Sequence, residues 1–394
     1  MSNVSRRRLI IFFVVPASIF LIAYVVTIIP YLKYTRGIYE FLAFLLVADL
    51  AAALSGKWRD AAIIAATLVF GLATTELVCA AFEANPPITA RGFAAARPIL
   101  GWGPSAPGVY HSSETGWGGI KIYDVDYRID QHLLRRTFSA ATGPTVAFFG
   151  DSMTFGQGLE DSQTLPQDFA DLNARKTRVL NFGFPGYGPQ QFLRALETGM
   201  FDPLLSNTKT FVYETAAWHA ERASCLAGFM ARAPRYELRN GKLIYVGTCS
   251  EGLNRVFRDI FMNGAAYNRL IAPFANAVGP ADIKIYLAEL QRCAELVKQK
   301  YNGRLVIVYL AGNAKYLAKT GFTDAMIEER LRHAGMDVID ATLSPKDFPP
   351  GTLFKIPGDG HPTAIANRAR AAMLQQFLSV APAGTSKSTD ITLK

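Results

Sequence analysis

From residue 143 onward, short apolar runs alternate with longer stretches of helical spacing, and no other feature constrains the fold as tightly. The runs at 145–149, 178–182, 209–214, 304–310 and 336–340 read as buried strands. The stretches at about 163–173, 188–200, 281–301, 323–334 and 363–380 read as helices. Short buried strands separated by helices predict a roughly five-stranded parallel sheet with both faces covered, an α/β domain of three layers, α/β/α. Such sheets bind ligands beyond the carboxyl ends of their strands. The turn after residue 149, the loop Gly183–Gly188, the loop 214–222 and the last loop, which holds His361, all belong at that edge.

Residues 1–85 have a different character. Leu9 to Leu32 carries no charge over 24 positions, and a helix needs about 20 residues to cross a bilayer. Arg6, Arg7 and Arg8 precede it. A second apolar segment, about Tyr39–Leu54, is short and holds Asp49; a third, about Ala61–Phe82, holds Glu76. Three spans with a cytoplasmic N-terminus make this region an all-α transmembrane anchor. Lys57 and Arg59 then join Arg6–Arg8 inside, against Lys33 and Arg36 outside, which is the usual positive-inside bias. The expected location is an inner (cytoplasmic) membrane, multi-pass, with the later domain on the extracytoplasmic side. If the second segment only dips into the bilayer, the count becomes two and that domain faces the cytoplasm. Asp49 and Glu76 read as near-interface residues or helix contacts, with functional intramembrane carboxylates as the alternative.

The formal net charge is +9. No nucleic-acid motif is visible and no dense Lys/Arg run occurs beyond Arg6–Arg8, so the lipid bilayer is the expected anionic partner and nucleic acid is not. Phosphate-binding, zinc-protease and dinucleotide signatures are missing from the sequence. Cys79, Cys225, Cys249 and Cys293 form no Cys-x-x-Cys pair, and neither a metal nor a cofactor is expected. Cys225 and Cys249 flank one insertion and pair if the compartment is oxidising; free buried thiols are the equal alternative.

Residues 86–142 read as a lead-in of two or three strands or extended segments. Asn85-Pro86-Pro87 ends the third apolar segment, and Ile120–Ile129 alternates like a strand. Arg135 and Arg136 read as a solvated pair, with the mouth of the site as the alternative. The main domain spans 143–380 and is interrupted by an insertion at about 220–280. There, Asn240-Gly241 between apolar flanks predicts a hairpin. A lid over the site is expected of this insertion, or a docking surface against the membrane or a partner. The Ser- and Thr-rich tail, 381–394, is expected to be disordered.

Gly150-Asp151-Ser152-Met153-Thr154-Phe155-Gly156 follows the first strand. A serine on a tight turn between strand and helix exposes its hydroxyl and gathers backbone N–H groups around it. Such a hydroxyl needs a base. Of His111, His132, His219, His333 and His361, the last is best placed, in Asp359-Gly360-His361-Pro362 just before the final helix and beside the Asp359 carboxylate. His111, His132 and His333 read as solvated or structural.

These blocks, with the loop Asn181-Phe182-Gly183-Phe184-Pro185-Gly186-Tyr187-Gly188, resemble the SGNH (GDSL-type) hydrolase superfamily over roughly residues 143–380, in a membrane-anchored branch. The resemblance implies a flavodoxin-like sheet and a site in which Ser152 is the nucleophile. Ser152 and Gly186 lend backbone N–H groups to the oxyanion hole, His361 is the general base and then acid, and Asp359 orients His361. Two departures stand out. The family spacing is Asp-x-x-His, but Gly358 stands three before His361, so the loop must bulge for Asp359 to reach Nδ1, or a backbone carbonyl does the orienting. The family's Gly-x-Asn-Asp block corresponds to Glu214–Arg222, which has no Asn; His219 is expected to donate in its place, or else to be a packing residue.

The function this implies is a membrane-tethered serine esterase, removing acyl and foremost acetyl groups from an envelope or exported glycan through an acyl-enzyme on Ser152. One alternative is an O-acyltransferase using the same acyl-enzyme with a multi-span acyl-export or polysaccharide-synthesis partner. Another is a non-catalytic subunit of a glycan-export assembly.

Overall fold

The computed structural model describes residues 18, 19, 21, 34–83, 88–90, 92–116 and 119–380. The first expected span, apart from three of its positions, and the tail 381–394 lie outside the described residues. The chain divides into two compact units. One takes in residues up to Ile88, Gly116–Gly119 and Ile260–Ala275; the other takes in Thr89–Thr115, Ile120–Asp259 and Asn276 onward.

The first unit is helical. Helices α1 (Thr35–Ala53) and α2 (Lys57–Ala81) pack on one another across the turn Leu54–Gly56. Phe44 meets Phe70 at 5.0 Å between ring centroids. A Cβ on Gly37 would come within 2.6 Å of Leu77 Cγ, so glycine there lets the two helices close. α2 is the one described helix long and apolar enough to cross a membrane. α1, interrupted by Arg36, Glu40 and Asp49, is not such a helix. Residues Ile260–Ala275, within the insertion expected to be a lid or a docking surface, belong to this unit.

The second unit is the α/β domain. Strands β1 (Thr145–Phe149), β2 (Arg178–Asn181), β3 (Thr208–Thr215), β4 (Arg304–Tyr309) and β5 (Asp337–Asp340) form one sheet in the order β2-β1-β3-β4-β5. Every neighbouring pair is parallel. The period-two alternation of strands sends side chains to opposite faces, and both faces are buried. Ala147 and Phe149 point into one core with α4 (Pro189–Thr198), α5 (Pro280–Tyr301) and α6 (Asp324–His333). Val146 and Phe148 point into the other, with α3 (Leu165–Leu172) and α7 (Ala364–Val380). Chain order reverses between β1 and β3, and the strand ends at that switch point form a natural crevice.

The lead-in holds more strands than the two or three expected, most of them in two antiparallel pairs. Ala94–Arg97 pairs with Gly101–Pro104, and Gly108–Thr115 pairs with Lys121–Ile129. In the insertion, Pro234–Arg239 and Lys242–Thr248 form the hairpin, with Asn240 and Gly241 both at positive φ as a type I′ turn requires.

Candidate active site

Ser152 opens a one-turn helix, Ser152–Phe155, at the carboxyl end of β1. Asp151 caps it: its Oδ1 accepts the Met153 N–H at 2.8 Å. Gly156 closes it in the left-handed region at φ +83. Two further contacts hold the turn. Asn181, fully buried at the end of β2, donates Nδ2–H to Thr154 O (2.9 Å) and accepts the Gly183 N–H (3.0 Å). A Cβ on Gly183 would lie 2.7 Å from Phe155 N, so only glycine lets the loop after β2 pass this close.

His361 and Asp359 come from the loop before α7. Ser152 Oγ and His361 Nε2 are 2.8 Å apart across 209 residues of chain. His361 Nδ1 is 2.6 Å from Asp359 Oδ2. These partners fix the tautomer: Nδ1–H donates to the carboxylate, and Nε2 accepts the serine proton. The loop does bulge. Gly358 and Gly360 sit at φ +89 and +93, which turns the Asp359 side chain back over the ring.

His219 does something other than expected. It is buried, with Nδ1 facing the hydroxyls of Tyr213 (2.9 Å) and Thr215 (3.1 Å) and Nε2 facing Asp151 Oδ2 (3.1 Å). Both nitrogens are engaged inside the protein, so His219 has no free N–H to offer an oxyanion. Arg222 completes the cluster: its Nη1 donates to Asp151 Oδ2 and to Tyr187 O, both at 2.6 Å. Burial opposes ionisation of Asp151, yet Arg222 and then His219 hold its carboxyl well below the usual carboxylate range. Burial lowers His219 in turn, against the pull of Asp151. The result is a carboxylate, a neutral imidazole and a guanidinium fixed directly behind the serine turn.

Two further carboxyls stand near the triad. Glu114, on the lead-in strand Gly108–Thr115, is buried and faces Asp359 and the Tyr123 hydroxyl. Burial first, and the Asp359 charge next, push it up to about 7, with Tyr123 and His361 working the other way. Its Oε2 is buried without a donor; a proton on Glu114 removes the repulsion and gives the pair a hydrogen bond. Glu214, at the end of β3, accepts the Thr154 hydroxyl at 2.9 Å. Burial pushes it up to about 7 against the attraction of Arg370.

Gly186 lies in a turn closed by Tyr187 N–H to Phe184 O (3.1 Å) and has φ +82. A Cβ there would press on Phe229 and Trp102. Trp102 anchors this loop, donating Nε1–H to Pro185 O (2.9 Å) and accepting the Tyr187 hydroxyl at its carbonyl (2.6 Å). The indole packs in turn on a buried cluster containing the Cys225–Cys249 disulfide. Cys79 and Cys293 are free and buried. A mostly apolar cavity of about 110 Å³ lies beside the loop, lined by Phe149, Gly150, Gly183, Phe184 and Tyr187 among others.

Arg135 and Arg136 do not form a solvated pair. Arg135 is fully buried under the serine helix, ion-paired with Asp161 (2.8 Å) and 4.8 Å from the centre of the Phe155 ring; burial pushes it down to about 10, opposed by Asp161. Arg136 lies over the Phe138 ring instead. Among the described residues, no group of three or more His, Cys, Asp or Glu side chains is arranged to hold a metal ion.

No family model matches the chain, and no curated protein matches its sequence. Solved structures do show similarity. A member of the lipolytic G-D-S-L family from Veillonella parvula is 12% identical, with 61% of this chain and 100% of that one covered and a TM-score of 0.36. A carbohydrate acetylesterase family member from Sinorhizobium meliloti is 14% identical, with 60% and 97% covered and a TM-score of 0.31. A two-domain esterase active on acetylated mannans is 11% identical, with 64% and 54% covered and a TM-score of 0.37. The chemistry of the site rests on the geometry of Ser152, His361 and Asp359.

Proposed function

We propose that this chain is a membrane-tethered serine esterase of SGNH type, which removes acyl groups, acetyl foremost, from an envelope or exported glycan. The observation that carries the reading is the continuous hydrogen-bonded line from Ser152 Oγ through His361 to Asp359. That line is the nucleophile, base and orienting acid of acyl transfer.

Ser152 Oγ attacks the ester carbonyl carbon while its proton passes to His361 Nε2. The imidazolium so formed is held by Asp359, and the carbonyl oxygen, now an oxyanion, is met by the backbone N–H groups of Ser152 and Gly186. Collapse of the tetrahedral intermediate breaks the C–O bond, and His361 returns the proton to the departing alcohol. Water, giving a proton to His361, then attacks the acyl-enzyme; the bond from the acyl carbon to Ser152 Oγ breaks, His361 returns the proton to Oγ, and the carboxylic acid leaves. The arrangement around the site supports this cycle: the Trp102 anchor keeps the Gly186 loop in place, and the Asp151 cap keeps the serine turn rigid. α2 supports the tether, and the Cys225–Cys249 bond supports an oxidising, extracytoplasmic location.

The test is turnover of p-nitrophenyl acetate and release of acetate from O-acetylated polysaccharide by the purified full chain. Hydrolysis of both, lost in Ser152→Ala, is the expected result. A well-folded protein that hydrolyses neither overturns the esterase reading, and turnover of the small ester alone overturns the glycan.

A further inference from the structure

The segment Ile260–Ala275 is pinned to the C-terminal end of α2. Glu76 is buried and accepts the backbone N–H groups of Ala265 (2.7 Å) and Ala266 (2.9 Å), with Arg36 Nε 3.8 Å away. Cys79, Ala80 and Ala265 form a small buried cluster beside it. The Arg269 guanidinium lies over the Phe82 ring at 4.8 Å. Glu76 precedes the last helical residue, Ala81, by five positions, so at about 1.5 Å per residue these pins fall within about 8 Å of the helix end.

Away from the pins the segment turns apolar side chains outward. Ile260, Leu270, Ile271 and Phe274 are 51%, 53%, 51% and 80% exposed. They belong to the same unit as Leu68, Phe70, Leu72 and Val78, which α2 also leaves exposed. Ile260–Ala275 contains no acidic residue and one base, Arg269. Exposed apolar groups with a lone base and no acid match the boundary between lipid headgroups and acyl chains. A broken helical segment can lie there only if its free backbone N–H groups find acceptors, and the Glu76 carboxylate answers two of them.

We propose that Ile260–Ala275 is a second membrane contact, lying in the headgroup–acyl boundary at the C-terminal end of α2 with Leu270, Ile271 and Phe274 in lipid. The contact rests on the reading of α2 as a span. Its test separates the two. Nitroxide labels are placed singly at I64C on α2, F274C on the segment and I365C on α7, in the full chain carrying C79A and C293A. The labelled proteins are reconstituted in vesicles of phosphatidylcholine and phosphatidylglycerol, and their accessibility to oxygen and to a water-soluble nickel chelate is compared. Labels at 64 and 274 are expected to favour oxygen and the label at 365 to favour nickel. Oxygen preference at 64 with nickel preference at 274 overturns the second contact and leaves the anchor standing. Nickel preference at 64 overturns both.

Discussion

A single oxygen of Asp359, Oδ2, lies 3.1 Å from the backbone N of His361 and 2.6 Å from its Nδ1. The backbone N–H and the ring N–H of His361 are thus both donated to one oxygen, with a single residue between the two side chains. Asp359→Asn keeps the loop but presents an amide where an acceptor is needed, turning the imidazole to the wrong tautomer. Turnover of p-nitrophenyl acetate is expected to fall by about 10⁴-fold, with an unchanged far-ultraviolet circular dichroism spectrum.

Asp151 is expected to matter chiefly for stability. Asp151→Asn leaves Arg222 and His219 facing a neutral amide inside the protein, and removing one partner of a buried ion pair costs about 3–5 kcal/mol. Urea unfolding of the full chain in detergent measures it. A change below about 1 kcal/mol, the worth of an exposed pair, contradicts the account of this cluster.

The raised carboxyls make stability depend on pH in a defined direction. Glu114 and Glu214 each bind a proton more tightly folded, about 7, than unfolded, 4.5. Between those values the folded state holds more protons, so their contribution is complete below pH 4.5 and is lost as pH rises through about 7. Glu114→Gln and Glu214→Gln, which imitate the protonated form, are therefore expected to gain melting temperature relative to wild type on going from pH 5 to pH 8. Parallel curves for variant and wild type contradict the assignment.

Trp102 links the disulfide to the Gly186 loop. Trp102→Phe keeps the packing and deletes the N–H that holds Pro185 O. A lower kcat with little change in KM is expected, by less than the roughly 10²–10³-fold typical of losing a whole oxyanion donor. Cys225→Ser with Cys249→Ser opens a 24-residue separation, which in chain-entropy terms costs about 3.5 kcal/mol; the double variant is expected to melt earlier and to show the same kcat defect as Trp102→Phe.

The five strands were legible because each carries a short apolar core, such as Val146–Phe149 and Leu305–Tyr309, between stretches of helical spacing. Ser152, His361 and Asp359 were legible because each stands beside a strand end or the last helix. Three features were not. The reach of Asp359 depends on left-handed φ at Gly358 and Gly360, which spacing alone leaves open. His219 stands at the expected edge, but its direction is set by Asp151 and by Arg222 three residues on, contacts that spacing alone does not reveal. Glu114 sits in Ser112-Ser113-Glu114-Thr115, a polar stretch with no outward sign that one face of it is buried against the catalytic loop. Arg135 looked solvated because arginines mostly are; the Asp161 carboxylate and the Tyr127 and Phe155 rings that bury it come from elsewhere in the chain.

The most direct test of the acyl-transfer account is covalent labelling of the full-length protein with a fluorophosphonate, followed by mass spectrometry of its peptides. One label on Ser152 is expected, absent from Ser152→Ala and strongly slowed in His361→Ala. A label carried by another serine, or a folded protein that takes none, contradicts the assignment of Ser152 as nucleophile and His361 as its base.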